Sequence, residues 1–343
     1  AREAARVLQY GPTEGFPPLR EFLASLMEGR GLSVAADQVL TLNGSQQGLD
    51  AIAKLLIDPG ALVLVEEPTY VGALQAFRPY QPRFIGLPMD DEGLDLSALE
   101  QVLRSGEQPR FLYLVSCFQN PTGITLSPER KRALLEVAAK YRLPIVEDDP
   151  YGELYYEGTR PPILAAMDAE QYGELRHVVY LSTFSKLLAP GLRVGWVAAP
   201  KELFGKLVHV KQGLDLHTGS LSQAVAYEAC RDGLLERHVP KIRMSYHARR
   251  DAMIASFERF MPRGVTWTRP MGGMFIWLTL PAHVDATTLL QASLEQKVAF
   301  VPGGAFYANG GGSNTMRLNF SHSTPERIAE GVSRLARSIA ELL

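Results

Sequence analysis

The sequence predicts an α/β protein. A large domain built on a mainly parallel, seven-stranded sheet flanked by helices should precede a small C-terminal α+β domain. Three observations support this. Short β-rich runs alternate with segments of helical spacing through the first two thirds of the chain. Those runs are almost continuously apolar rather than alternating, as strands covered on both faces are. After about residue 230 the order changes to one long helix, then short strands mixed with further helices, which suits an antiparallel α+β unit.

A chain of 343 residues, 46% of them hydrophobic, has enough apolar side chains for a large core and two domains. The expected division is an N-terminal segment at 1–37, the large domain at 38–230 and the small domain at 231–343. Within the large domain, strands are expected at 61–65, 83–87, 110–115, 143–147, 177–181 and 194–198. The helices between them fall at 45–57, 71–77, 96–104 and 128–141. Turn residues agree with this order. Asp58, Pro59 and Gly60 stop one helix, while Ser127 and Pro128 start another as N-cap and first-turn proline. Beyond 230, a helix at 236–261 carries Val239, Ile242, Tyr246, Met253 and Phe257 at helical spacing. A strand at 274–280, a helix at 285–296, strands at 298–301 and 316–321 and a helix at 325–342 complete the order. The sequence opens on Ala1, already within a helical pattern at Ala4, Ala5, Val7 and Leu8, and its front is expected to be missing.

Charge and composition exclude several classes of function. Basic and acidic residues number 35 and 37, so there is no positive excess to hold a nucleic acid. No apolar run approaches the ~18–20 residues that cross a bilayer, so no membrane partner is expected. Cys117 and Cys230 are far apart and form no C-x-x-C pair, which points to a reducing, cytoplasmic setting rather than a disulfide frame. No internal repeat of 20–50 residues is present.

The most informative segment follows the strand at 177–181. It places Thr183, Ser185 and Lys186 in one turn, then Pro190 and Gly191, with Arg193 seven residues after the lysine. Hydroxyls and a guanidinium around one turn suit a phosphate dianion. A lysine in the same turn can bond covalently to a carbonyl of the molecule bearing that phosphate. Four further segments stand out. Gly44, Ser45 and Gln46 open a helix, with Ser45 read as the N-cap, and free N–H groups at such a terminus bind anions. Glu66, Glu67, Pro68, Thr69 and Tyr70 follow a strand. Asn120, Pro121, Thr122 and Gly123 form a turn after the strand at 110–115. Glu147, Asp148, Asp149 and Tyr151 end a buried strand, where open α/β sheets bind ligands. No histidine cluster accompanies these acids, and no metal centre is expected. Further on come Asn314 and Arg317 before Leu318, while Tyr10 precedes Gly11 and Pro12 near the front. Gly303–Gly304 and Gly310–Gly312 lack the surroundings of a phosphate loop. They are read as turns that bring backbone close to the site.

Taken singly these are ordinary turns, caps and surface residues. Together and in this order they resemble the class I/II aminotransferases, the pyridoxal-phosphate enzymes of fold type I. The wording of several motifs is closest to the 2-aminoadipate and broad-specificity members. The resemblance implies that Lys186 holds the cofactor covalently and moves the substrate proton. Asp148, and not Asp149, would pair with the ring nitrogen. Tyr151 and Asn120 would bond the ring 3-oxygen, and Tyr70 would stack on the ring. Ser45, Gln46, Thr183, Ser185 and Arg193 would hold the phosphate, joined by Tyr10 across a homodimer. Arg317 would grip the substrate α-carboxylate, and Asn120 would also contact the substrate. The implied reaction moves an amino group by a ping-pong route. The donor is an L-amino acid of 2-aminoadipate, aromatic or aliphatic type; the acceptor is a 2-oxo acid, with 2-oxoglutarate expected. Two alternatives share the wording: the effector domain of a helix-turn-helix regulator, and a β-lyase using the same cofactor.

Overall fold

The computed structural model describes residues 7–343, so the helical pattern at Ala4 and Ala5 lies outside the described residues. Its centre is an eight-stranded sheet. In chain order the strands are β1 (Val39–Leu42), β2 (Leu62–Glu67), β3 (Arg83–Asp90), β4 (Gly93–Leu94), β5 (Phe111–Leu114), β6 (Ile145–Asp148), β7 (Val178–Thr183) and β8 (Gly195–Ala198). Their spatial order is β1-β8-β7-β6-β5-β2-β3-β4. The contiguous strands β3, β2, β5, β6 and β7 pair in parallel, whereas β8 runs antiparallel to both β7 and β1. The strand beyond the expected seven is β4, two residues that fold back onto the end of β3. The sequence reading named no strand at β1. Four residues without turn punctuation give little signal, yet all four are buried against β8.

The helices form for the expected local reasons. Asp95 caps the helix Leu96–Arg104 by accepting the Ser97 N–H at 2.8 Å. Ser127 caps Pro128–Tyr141, accepting the Arg130 N–H at 3.2 Å behind the first-turn proline. Two helices that the apolar pattern did not mark, Lys201–Asp215 and Ser220–Cys230, carry the chain from β8 to the long helix Leu234–Phe260. Few of their residues are buried, so their apolar stripes are thin.

The second sheet is antiparallel and has the order β11-β12-β10-β9. Its strands are β9 (Thr266–Trp267), β10 (Phe275–Thr279), β11 (Val301–Pro302) and β12 (Thr315–Asn319). The strand expected at 298–301 forms later than read, because Val298 closes the preceding helix: its N–H donates to Ser293 O at 2.9 Å. Lys297, at φ +60°, makes that turn. The long helix serves two cores. Leu235 and Val239 pack with the large sheet, while Met253 and Phe257 pack with Ile276, Leu278 and Phe320. No helix among the described residues is long and apolar enough to cross a membrane.

Candidate active site

Strands β2, β5, β6 and β7 run in one direction, so the loops after them converge at one edge of the sheet. Those loops carry Tyr70, Asn120, Asp148 with Tyr151, and Lys186. They line a cavity of about 370 Å³, shared with Ser45, Gln46, Thr183, Ser185, Arg193 and Arg317. Every site residue nominated from the sequence is therefore in this one cavity except Tyr10. Tyr10 is 77% exposed and turns its ring edge to His217 at a 5.8 Å centroid distance.

At the cavity floor, β6 ends on Asp148. Its Oδ2 accepts the Tyr113 hydroxyl at 3.1 Å, while Oδ1 is buried without a partner. Burial, reinforced by the charges of Asp149 and Glu147, pushes this carboxyl up to about 7. The neighbouring Asp149 is fully engaged elsewhere. It is ion-paired to Arg30, accepts the Tyr180 hydroxyl at 2.9 Å and accepts the Gly152 N–H at 2.9 Å. Glu147 is likewise occupied, accepting the Leu164 and Ala165 N–H groups at 2.8 Å at the start of a helix. Of three consecutive acids, only Asp148 has an oxygen to offer the cavity.

At one end of the cavity the helix Ser45–Leu56 begins. Here the structure corrects the sequence reading: Gly44, not Ser45, is the N-cap, and no side chain caps the helix. Ser45 is the first helical residue, which leaves its hydroxyl and the first-turn N–H groups available to an anion. Gly44 sits at φ +79°, and a Cβ there would lie 2.4 Å from Arg193 Nη2. Arg193 itself is held at φ +52°, with Nη1 3.5 Å from Ser185 Oγ. Thr183 Oγ1 lies 2.9 Å from the same Ser185 hydroxyl. A guanidinium, two hydroxyls and a helix N-terminus thus form one cradle.

Lys186 reaches the cavity between this cradle and Arg317. Burial first, then the positive charges of Arg193 and Arg317, lower its pKa, so the amine loses its proton more readily than a free lysine. Arg317, on β12, comes from the far part of the chain. Its Nη1 donates to Asn120 Oδ1 at 2.7 Å, and its guanidinium lies 4.2 Å from the Phe275 ring centroid and 5.1 Å from that of Phe306. Asn120 Nδ2 is 3.5 Å from the Tyr151 hydroxyl. The turn that begins at Gly303–Gly304 does bring backbone close, since Phe306 O accepts the Thr69 N–H, next to Tyr70, at 2.8 Å.

Sequence reasoning missed Tyr113, Phe275 and Phe306, and with them Val115 and Pro150 on the cavity wall. Tyr113 and Phe275 lie inside apolar strands, where an aromatic residue signals only core. The wall residues belong to loops with no charge to draw attention.

The residues present fit a pyridoxal phosphate. Asp148 has an unpartnered buried oxygen, the cradle suits a dianion, and an amine of lowered pKa lies in the same cavity. Comparisons with known proteins agree. Residues 1–335 match the family described as aminotransferase class I and II. The aromatic-amino-acid aminotransferase 1 of Thermococcus litoralis is 46% identical over 99% of this chain and 82% of its own. The 2-aminoadipate transaminase of Thermus thermophilus is 47% identical over 100% of this chain and 84% of its own. The solved kynurenine aminotransferase of Pyrococcus horikoshii, in complex with PMP, superposes with a TM-score of 0.94 at 45% identity, covering 99% of this chain and 84% of that one. The chain belongs to the class I and II aminotransferases. Its cofactor is pyridoxal 5'-phosphate, and its reaction is the transfer of an amino group.

Proposed function

We propose that the protein transfers the amino group of an L-amino acid with a 2-aminoadipate, aromatic or aliphatic side chain to a 2-oxo acid such as 2-oxoglutarate. The substrate range named for its relatives supports this reading. The observation that carries the residue roles is Asp148, with one buried oxygen left unpartnered, lining the same cavity as Lys186 and Arg317. When bound, pyridoxal 5'-phosphate supplies a carbonyl for covalent capture of amines and a ring that withdraws electrons. Lys186 would hold the cofactor through that carbonyl, and its free amine would take the proton from the substrate Cα and return it at C4′. Asp148 holds the proton on the ring nitrogen, and Tyr151 and Asn120 orient the ring 3-oxygen. Tyr70 covers one face of the ring. Ser45, Gln46, Thr183, Ser185 and Arg193 hold the phosphate. Arg317 binds the α-carboxylate that donor and acceptor share, as a planar fork steadied by Asn120 and the Phe275 ring.

The same reading includes a homodimer in which Tyr10 reaches the partner's phosphate. Its support is an exposed apolar surface around Tyr10: Leu8, Leu216 and Leu221 are 79%, 52% and 60% exposed. Gln9 O accepts the Ser220 hydroxyl at 3.3 Å, which sets this strap beside the helix that carries Leu221. Two measurements test the function. Borohydride reduction followed by peptide mapping should place the cofactor on Lys186; label on another lysine removes the assignment. A panel of amino acids with 2-oxoglutarate should exchange amino groups, whereas release of pyruvate and ammonia would indicate a β-lyase.

A further inference from the structure

Behind the turn that opens the phosphate cradle lies an ionic cluster, built around one buried lysine and a partly exposed aspartate, that no step above uses. The Lys211 side chain is fully buried; its Nζ donates to Gln47 Oε1 at 2.6 Å and to Asp215 Oδ2 at 2.8 Å. The same Asp215 oxygen accepts from Asn43 Nδ2 at 2.6 Å and Gln47 Nε2 at 2.7 Å. Gln47 Oε1 also accepts the Asn43 backbone N–H at 2.8 Å. The Gln47 amide is thereby fixed, with its oxygen toward Lys211 and Asn43 and its nitrogen toward Asp215.

Local preferences oppose this arrangement. Asp215 is the last residue of the helix Lys201–Asp215, where the helix dipole disfavours a carboxylate. Lysine ahead of the acid is the poorer order for an i,i+4 pair. An ammonium taken out of water is costly, and a buried ion pair is often no more stabilising than apolar packing. What the cluster holds explains its presence. Asn43 is tied through both its side chain and its N–H, and it immediately precedes Gly44. The other flank of Gly44 is closed by Arg193, which leaves no space for a Cβ. The turn is gripped from behind by the cluster and in front by the guanidinium.

We infer that Lys211, Asp215 and Gln47 form a positioning unit that fixes the Asn43–Gly44 turn and so sets affinity for the cofactor phosphate without touching it. None of the three lines the cavity. The inference rests on the assignment of Ser45, Gln46 and Arg193 to the phosphate. The test uses full-length enzyme freed of cofactor and titrated with pyridoxal 5'-phosphate, with pyridoxal, and with inorganic phosphate as competitor. Lys211→Met should weaken binding of the two phosphate-bearing probes about tenfold, the scale of one lost charge-assisted hydrogen bond, with pyridoxal affinity and kcat at saturating cofactor near wild type. Asp215→Asn keeps the size and one acceptor oxygen, so it should lose less affinity in the same direction; it also serves if Lys211→Met does not fold. Unchanged phosphate affinity in the folded variants, or an equal loss for pyridoxal, overturns the inference. Arg193→Ala separates the two levels. If it keeps the preference for phosphate, the cradle assignment fails and takes the inference with it. If Arg193→Ala loses that preference while both cluster variants keep it, only the positioning unit is removed.

Discussion

Three consecutive acids end β6, and their partners divide the work among them. Glu147 is consumed by two helix N–H groups and Asp149 by Arg30, Tyr180 and Gly152, so only Asp148 faces the cavity with an unmet oxygen. Asp148→Ala should therefore keep a phosphate-anchored cofactor and lose at least ~10³-fold in kcat, because ring protonation supplies several kcal/mol of barrier lowering. Equal crippling by Asp149→Ala with its fold intact would contradict this division. The raised Asp148 carboxyl also makes a pH prediction for the cofactor-free protein. A folded-state value of about 7, above the ordinary 3.8, means the native state binds the proton more tightly than the unfolded chain. Stability is then lost as pH rises from about 4 through 7, by up to roughly 4 kcal/mol. Cofactor-free Asp148→Asn should melt above wild type at pH 8, and the difference should shrink as pH falls below 7. A gap that grows toward acid would reverse the sign and reject the argument. Arg317 gives a second kinetic prediction at this scale. Arg317→Lys should raise KM for donor and acceptor alike, since one ammonium cannot reproduce the fork to a carboxylate. A defect confined to one substrate would assign the arginine to a side-chain contact.

Among the elements, the start of the helix Ser45–Leu56 is the most constrained. The first strand residue of β8 presses on it, since a Cβ at Gly195 would lie 2.7 Å from Ser45 N. Gly44 carries two constraints at once, a φ of +79° and the Arg193 guanidinium where its Cβ would be. Gly44→Ala should thus cost stability through backbone strain of ~1–3 kcal/mol and also weaken cofactor binding at least about tenfold. Gly106 is the control, at φ +90° with nothing within 4 Å of its absent Cβ. Gly106→Ala should show the strain in its melting temperature and keep cofactor affinity. If both variants bind cofactor normally, the close approach of Arg193 is not what the glycine serves.

For the whole molecule, the decisive question is whether Tyr10 acts in its own chain. Within one chain it is exposed beside His217 and does not line the cavity. A phenol from the neighbouring chain would add one hydrogen bond to a phosphate also held by Arg193 and the helix start, so Tyr10→Phe should weaken cofactor affinity about tenfold. Hybrids of Tyr10→Phe and Lys186→Ala subunits resolve the direction. If Tyr10 acts in trans, the one lysine-bearing site receives its tyrosine from the Lys186→Ala chain and behaves as wild type, giving about half the activity of the wild-type dimer. If that site keeps the Tyr10→Phe cofactor defect, the tyrosine acts in cis. An active monomer by sedimentation would end the shared-site reading.

Most of the site was legible in the sequence because its chemistry is carried in short contiguous pieces. Strands β2, β5, β6 and β7 each end in, or run into, a segment bearing one or two distinctive residues, so Tyr70, Asn120, Asp148 and Lys186 could be read in order before any contact was known. The parallel strands and the helices capped by Asp or Ser side chains were readable too, since burial on two faces and capping both leave local marks. Tertiary structure decided what has no local mark. The Arg317–Asn120 bond joins residues 197 apart in sequence, one on β12 of the second sheet and one in the loop after β5 of the first. Tyr113 reads as a core aromatic until β5 is placed beside β6 and its hydroxyl meets Asp148. Ser45 read as a cap until the backbone put Gly44 there instead. Lys211 and Asp215 carry no distinguishing signal in the sequence; only the packing of their helix against Gln47 and Asn43 buries the lysine and pairs it. Periodicity and capping report a residue's own element, whereas partnership across elements is set by burial free energy summed over the whole fold, which no local window contains.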